Sequence, residues 1–260
     1  MSTNDYTANE MMTIAAARAL SDGAVCFVGI GLPSAAANLA RLTHAPDVVL
    51  IYESGTIETR PDVLPLSIGD SELAETAKTV VSVPEMFRYW LQGGRIDVGF
   101  LGAAQIDRFA NINTTVIGAY DTPRVRLPGA GGAPEIATAS REVFITLRHS
   151  PRAFVEQLDF VTSLGHGTGG HQDRQPGTTG KGPSLVITDL CIMEPDTETS
   201  ELTVTSLHPG VREDDVRAAT GWPIRFAPSV GVTETPSARE LDVLRELQER
   251  TERAHAGEAA

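Results

Sequence analysis

Residues 51–61 read IYESGTIETRP, and one carboxylate carries the chemistry of that stretch. The apolar run Val48, Val49, Leu50, Ile51, Tyr52 stops at Glu53, and Ser54 and Gly55 mark a tight turn directly behind it. In open parallel sheets, ligands bind beyond the carboxyl ends of the strands, which is where Glu53 falls. A glutamate side chain is an anion at neutral pH, so it can attack a carbonyl without a base to activate it. A solvated loop glutamate would show the same local pattern. Position alone does not choose between the two.

Three further groups of residues could meet a ligand. The segment VGIGLPS places Gly29 and Gly31 between a strand and a helix, with Glu53 a further 22 positions on. That spacing mimics a dinucleotide fingerprint, in which glycines admit a pyrophosphate and a later acid holds a ribose, but Ser34 stands where the third glycine belongs. Tight strand–helix packing accounts for it equally well. In RLPGAGGAPEIA, Gly129, Gly131 and Gly132 could bring backbone N–H groups up to an oxyanion or a phosphate, or simply form a turn. In GAAQIDRFANINTT, the amides of Gln105, Asn111 and Asn113 crowd a strand end, where they can orient a carboxylate or cap turns. His166 and His171 lie in a glycine-rich stretch with no carboxylate or cysteine at metal-ligand spacing, so no metal site is expected. There is no GxSxG elbow, Walker loop or HExxH. Trp90 and Trp222 are expected in the core or at an interface.

The elements that must position these residues alternate. Apolar runs at 24–31, 47–52, 95–107, 142–150, 184–193 and 201–210 are closed by Gly, Asp or polar turns, and the first four lack the alternation of a half-exposed strand. Helical patterns fall at 9–23, 32–44 and 84–94, and in the tail after a Thr235 cap and Pro236, with a polar end expected to fray over 251–260. This order predicts an α/β fold with an open, mostly parallel sheet flanked by helices, in a single domain over 1–260. Residues 165–182 hold seven glycines and predict a flexible loop.

The formal charge of −13 makes nucleic acid and anionic membranes poor partners. No run approaches the roughly 18 apolar residues of a membrane span. Cys26 and Cys191 both sit in apolar runs and are expected as buried thiols in a reducing compartment. With no secretory pattern in MSTNDYTANE, the expected location is the cytoplasm.

Taken together, VGIGLPSAAANLARL, YESG, QGGRIDVGFLGAAQIDRFANINTTVIG, RLPGAGGAPEIA and TSLHPGV resemble, in this order, the β subunits of class I CoA-transferases of the glutaconate type. The resemblance runs from about residue 8 to about residue 250, and LPLSIGDSELAETA (64–77) and GKGPSLVITDLCIMEP (180–195) point to the branch acting on 3-oxoadipate. It implies the CoA-transferase (NagB/RpiA-like) fold and an obligate α subunit, in a heterodimer or heterotetramer with the active site between the two. It further implies no permanently bound cofactor, with coenzyme A entering as substrate: succinyl-CoA as donor and 3-oxoadipate as acceptor, in the β-ketoadipate pathway of aromatic catabolism. The nucleophile that becomes a covalent glutamyl-CoA thioester falls on Glu53, the oxyanion and CoA-contacting glycines on Gly129, Gly131 and Gly132, and the strand-end amide on Asn113. Ser54, Gln105, Gly29 and Gly31 are the remaining candidate substrate contacts. Two positions depart from the pattern: Ala110 and Glu58 stand where relatives often carry glycine. The alternatives are a transferase for another dicarboxylate such as glutaconate, a CoA-thioester hydrolase on the same fold and, from VGIGLPS alone, a nucleotide-dependent oxidoreductase.

Overall fold

The structure is a computed structural model that describes residues 6–170 and 178–257. Its strands are β1 (Val25–Phe27), β2 (Val49–Ile51), β3 (Thr56–Ile57), β4 (Thr79–Val80) and β5 (Val98–Gly102), then β6 (Gln105–Ile106), β7 (Ile112–Asn113), β8 (Val116–Ile117) and β9 (Val125–Arg126). β10 (Glu142–Thr146), β11 (Pro183–Ile187), β12 (Cys191–Pro195), β13 (Leu202–Leu207) and β14 (Arg225–Val232) follow. The helices are α1 (Ala8–Arg18), α2 (Leu32–Thr43), α3 (Ser71–Glu75), α4 (Val83–Glu85), α5 (Ala133–Ala139), α6 (Glu213–Ala218) and α7 (Ala238–His255).

Ten strands share one sheet in the order β14-β13-β12-β11-β10-β5-β1-β2-β3-β4. The central five, from β11 to β2, are parallel, and antiparallel pairings add β3 and β4 on one side and β12 and β13 on the other. Side chains alternate across this sheet. Cys26, Leu50, Tyr52 and Phe100 join one apolar cluster with α1, α2 and α7, whereas Phe27, Ile51 and Leu101 join a second with α5 and α6. That double burial is why the first runs show no polar alternation.

Local signals set most boundaries. Thr7 and Glu10 form a capping box that starts α1, and Ser237 and Glu240 do the same for α7, two residues past the Thr235 cap expected from sequence. Arg18 joins these helices by donating to both Glu240 carboxylate oxygens at 2.7 Å, and Arg245 meets Glu10 at 2.6 Å. α7 continues to His255, further into the tail than its polar sequence suggests, because Leu241, Leu244 and Leu247 keep one face buried.

Two expectations are adjusted, and other local features were not foreseen. The 184–193 run is a hairpin, not one strand, because the Thr188 hydroxyl accepts from the Leu190 and Cys191 N–H groups and turns the chain. The 84–94 pattern starts with α4 but continues as a π-helix, Met86–Leu91. β14 is largely exposed and contains Pro228 and Gly231, so its sequence carries no strand signal. At the two departures from the family pattern, Glu58 has φ 51° and Ala110 has φ 57°, the left-handed region in which glycine is at ease. The described ends of 165–182 are pinned: His166 N–H donates to the Phe109 carbonyl, Gly170 N–H to Thr199 and Gly180 N–H to Thr138. His171 lies outside the described residues.

Candidate active site

β2 ends where the chain must turn back into β3. The Tyr52 N–H donates to the Thr56 carbonyl at 3.1 Å, and the Gly55 N–H donates to the Tyr52 carbonyl at 3.0 Å, closing a tight hairpin around Glu53 and Ser54. Gly55 has φ 99° and passes close to the Val81 backbone. Tyr52 is fully buried, and its hydroxyl shares a 2.8 Å hydrogen bond with Ser34 of α2. Burial pushes the Tyr52 phenol up to about 12, against the smaller pull of that bond, so it stays neutral. The residue before Glu53 is thereby fixed to the helix layer. Glu53 itself is half-buried.

The carboxylate lines a cleft of about 480 Å³ at the carboxyl ends of the parallel strands. Phe27 at the end of β1 and Gly29 beyond it, Gly102 at the end of β5 and Thr146 at the end of β10 contribute to its walls. Among the described residues lining it, Glu53 is the only ionisable one. The opposite wall is Pro128, Gly129, Ala130 and Gly132, leading into α5. A β-carbon on Gly131 would lie 3.7 Å from Glu53 Oε1, and one on Gly132 would lie 3.2 Å from the same oxygen. The carboxylate therefore faces the start of α5, whose dipole favours negative charge.

The glycine segment is held in place by the amide-rich loop. The Gly129 N–H donates to the Thr114 carbonyl and the Thr114 hydroxyl donates to the Gly129 carbonyl, both at 2.8 Å. Thr114, which also lines the cleft, follows Asn113 directly. Asn113 is fully buried: its amide donates to Gln105 Oε1 (2.7 Å) and the Val116 carbonyl (2.6 Å) and accepts from the Thr115 N–H (2.9 Å). Gln105 in turn donates to Asp159 at 2.9 Å. Neither amide lines the cleft; they brace Thr114, which grips Gly129.

The structure thus brings together Glu53, Gly29, Gly129, Gly131 and Gly132, and sets Asn113 and Gln105 one layer behind them. Gly31 is the N-cap of α2, with φ 85°, and lines an adjoining cleft of about 650 Å³ that shares Ile30, Leu32 and Thr146 with the first. The Ser54 hydroxyl is enclosed and has no hydrogen-bond partner among the described residues. Sequence reasoning did not single out Phe27, Thr114 or Phe87 at this site. Phe87 packs edge-on against Phe27, with ring centroids 6.1 Å apart, and its Cζ would lie 2.5 Å from a Gly132 β-carbon. The aromatic residue sits amid a helical apolar pattern, and nothing local marks it as a neighbour of Glu53.

Among the described residues, no group of three or more His, Cys, Asp or Glu side chains could hold a metal, and no helix is long and apolar enough to cross a membrane. Cys26 and Cys191 are both buried and free, and burial raises both thiols, Cys191 to about 12.

Residues 9–219 match the coenzyme A transferase family. Over 250 residues the chain is 67% identical to one of the subunits of the 3-oxoadipate CoA-transferase of Pseudomonas knackmussii, with 96% of each chain covered. The corresponding subunit of the glutaconate CoA-transferase of Acidaminococcus fermentans is 34% identical over 250 residues, covering 93% of this chain and 92% of that one. The crystal structure of that organism's glutaconate CoA-transferase superposes with a TM-score of 0.86 at 33% identity, over 93% of this chain and 94% of that one. The Rhodococcus jostii IpdAB structure follows the same fold with a TM-score of 0.78 at 26% identity, over 97% and 98% of the two chains. A carboxylate at the end of a central strand, a glycine wall before a short helix and these matches over nearly the whole chain lead to one assignment: this chain belongs to the coenzyme A transferase family.

Proposed function

We propose that this chain is the β subunit of a CoA-transferase that moves CoA from succinyl-CoA to 3-oxoadipate, with Glu53 as nucleophile. The observation that carries the reading is the placement of Glu53, the one ionisable group among the described lining residues, against Gly131 and Gly132 in a mostly apolar cleft. The acceptor rests on the 67% identity to a protein named for 3-oxoadipate. The relatives are named as subunits, which supports a cognate α chain that completes the site, in a cytoplasmic αβ or α2β2 assembly. Coenzyme A is a substrate here, with no resident cofactor.

The steps follow from carboxylate chemistry. Glu53 attacks the succinyl-CoA carbonyl and expels CoA thiolate, leaving a succinyl-glutamyl anhydride. The thiolate then attacks the glutamyl carbonyl carbon and releases succinate, leaving a glutamyl-CoA thioester. The 3-oxoadipate carboxylate attacks that thioester, and the same two steps in reverse give 3-oxoadipyl-CoA and free Glu53. No proton is transferred. Each tetrahedral oxyanion develops beside the Ala130–Gly132 segment, where backbone N–H groups and the α5 dipole can stabilise it, the Gly129 N–H being held by the Thr114 carbonyl. The thioester survives only if water is kept out, which is the task of a site closed between two subunits.

The decisive experiment incubates the assembled enzyme with succinyl-CoA in the absence of acceptor, followed by borohydride. CoA should be found on the peptide containing YESG, and reduction should leave an alcohol at position 53, read by peptide mass. An active enzyme with no adduct at that peptide overturns the reading. The isolated chain, lacking its α partner, should show no transfer.

A further inference from the structure

Gly132 has φ −85°, which any residue adopts, so its lack of a side chain answers to space rather than backbone freedom. That space is filled from two directions. A β-carbon there would lie 2.5 Å from Phe87 Cζ and 2.8 Å from Phe87 Cε1, and 3.2 Å from Glu53 Oε1. The edge of the phenyl ring and the carboxylate oxygen meet over one glycine.

Phe87 is held there by more than Gly132. Its ring stands edge-on to Phe27, a cleft-lining residue, at 64° between planes. It lies in the π-helix Met86–Leu91, where its carbonyl accepts the Gln92 N–H at 2.8 Å. The Gln92 side chain donates to Glu135, which ties this turn to α5, the helix that Gly132 caps. Met86 and Leu91 on either side are fully buried. π turns persist at a cost in hydrogen-bond geometry and occur disproportionately at functional sites.

We propose that Phe87 shields the glutamyl-CoA thioester from water. The inference rests on Glu53 as the nucleophile and adds what keeps its thioester from being hydrolysed. The half-buried ring sits where Glu53 meets Gly132, while the rest of the cleft remains open to acyl groups. Hydrolysis would require water to add to the Glu53 carbonyl carbon. The carbon–sulfur bond would break, CoA thiolate would leave, and the added oxygen would remain in the carboxylate as the water's protons pass to solvent and thiolate. The ring edge and the carboxylate oxygen both lie within 3.2 Å of one point above Gly132, so the ring occupies one approach of that water. Phe87 is thus a positioning and shielding residue that sets the ratio of transfer to hydrolysis.

The test measures the lifetime of the Glu53 adduct in the assembled enzyme, without acceptor, in wild type, Phe87→Ala, Phe87→Gln and Phe87→Leu. In Phe87→Ala and Phe87→Gln the adduct half-life should fall at least about tenfold, a difference of one decade in rate. Acceptor-independent CoA release should rise to match, with adduct formation changing little. Phe87→Leu, still apolar, should retain most of the lifetime. If Phe87→Ala fails to assemble with its partner, Phe87→Gln, which keeps bulk but admits water, decides the matter. A lifetime unchanged in Phe87→Gln, or slower adduct formation with no shorter lifetime, would overturn the proposal and leave Phe87 a packing residue. A wild-type enzyme that forms no adduct at Glu53 sinks the nucleophile assignment instead, before the variants are compared.

Discussion

Gly55 and Val81 stand so close that a β-carbon at position 55 would lie 2.0 Å from the Val81 carbonyl oxygen. The contact is part of the sheet edge: the Val81 N–H donates to the Gly55 carbonyl at 2.9 Å, and β3 pairs with β4 beside it. Glu53 therefore owes its position to a turn that only glycine can close. Gly55→Ala introduces both this clash and the strain of φ 99°. The expected loss is roughly 3 kcal/mol of stability, with the Glu53 adduct abolished or strongly slowed. Thermal unfolding and adduct mass spectrometry measure the two effects; a Gly55→Ala protein with wild-type melting and labelling would refute the turn argument.

Glu53→Gln keeps the shape of the side chain and removes its nucleophilic anion. Transfer should fall by about a thousandfold or more, equivalent to roughly 4 kcal/mol of barrier. Glu53→Asp, one methylene shorter, should also lose most transfer because the reacting oxygen no longer reaches the acyl carbon. Melting temperatures should stay near wild type, since Glu53 makes no contact that the core depends on. Steady-state kinetics of the assembled enzyme, paired with calorimetry, checks both halves.

Asn113→Ala should behave differently. It removes the shorter of the two hydrogen bonds to the Gln105 carbonyl oxygen, leaving only the 3.3 Å bond from the Asp159 N–H, takes the side-chain donor from the Val116 carbonyl, and frees the turn that presents Thr114 to Gly129. A stability loss of about 2–4 kcal/mol is expected, the combined penalty of unpaired buried groups. Activity should fall along with stability and return in part under conditions that stabilise the fold. A direct catalytic role would instead lower the rate with stability intact, and denaturant titration beside kinetics separates the two outcomes.

His149 gives the fold a pH dependence. Its ring stacks on Phe154 with centroids 3.7 Å apart, and its Nε2 lies 2.9 Å from the Thr220 hydroxyl. Burial lowers its pKa to about 4, and the nearby Asp189 only partly opposes this. The neutral ring is thus favoured in the folded state. The unfolded chain binds the proton first as pH falls from about 6.5, so stability declines between about 6.5 and 4, by roughly 3 kcal/mol. His208, also lowered by burial, adds in the same direction. Melting followed across this range should show the decline in wild type and a shallower slope in His149→Leu. Equal slopes would remove His149 as the cause.

How much of this was legible in the sequence differs from residue to residue. The strands carrying the site were readable because β-branched runs covered on both faces leave no polar alternation, and Glu53 stood out because such a run broke at a carboxylate and a glycine turn. The capping boxes of α1 and α7 are equally local, each decided by side chains three residues apart, yet the cap expected for α7 was Thr235 and the structure uses Ser237. β14 was not readable, since an exposed edge strand draws its hydrogen bonds from β13 and needs no apolar pattern of its own.

The order of parts within the site was decided by the tertiary structure alone. Asn113 reads as a strand-end amide open to a ligand, yet Gln105, paired with it across the β6–β7 hairpin, and Val116 engage it completely. Gly29 and Gly31 look alike in VGIGLPS, but one lines the Glu53 cleft and the other caps α2 beside a neighbouring cleft. Phe87 and Gly132 are far apart in the chain, and no local pattern links them; they meet only because the π-helix and α5 pack on the same face of the sheet. Sequence determines what rests on neighbouring residues: hydrophobic period, turn chemistry and caps. Which distant side chains share a cavity depends on how the crossovers stack the elements, and that is set by packing across the whole sheet.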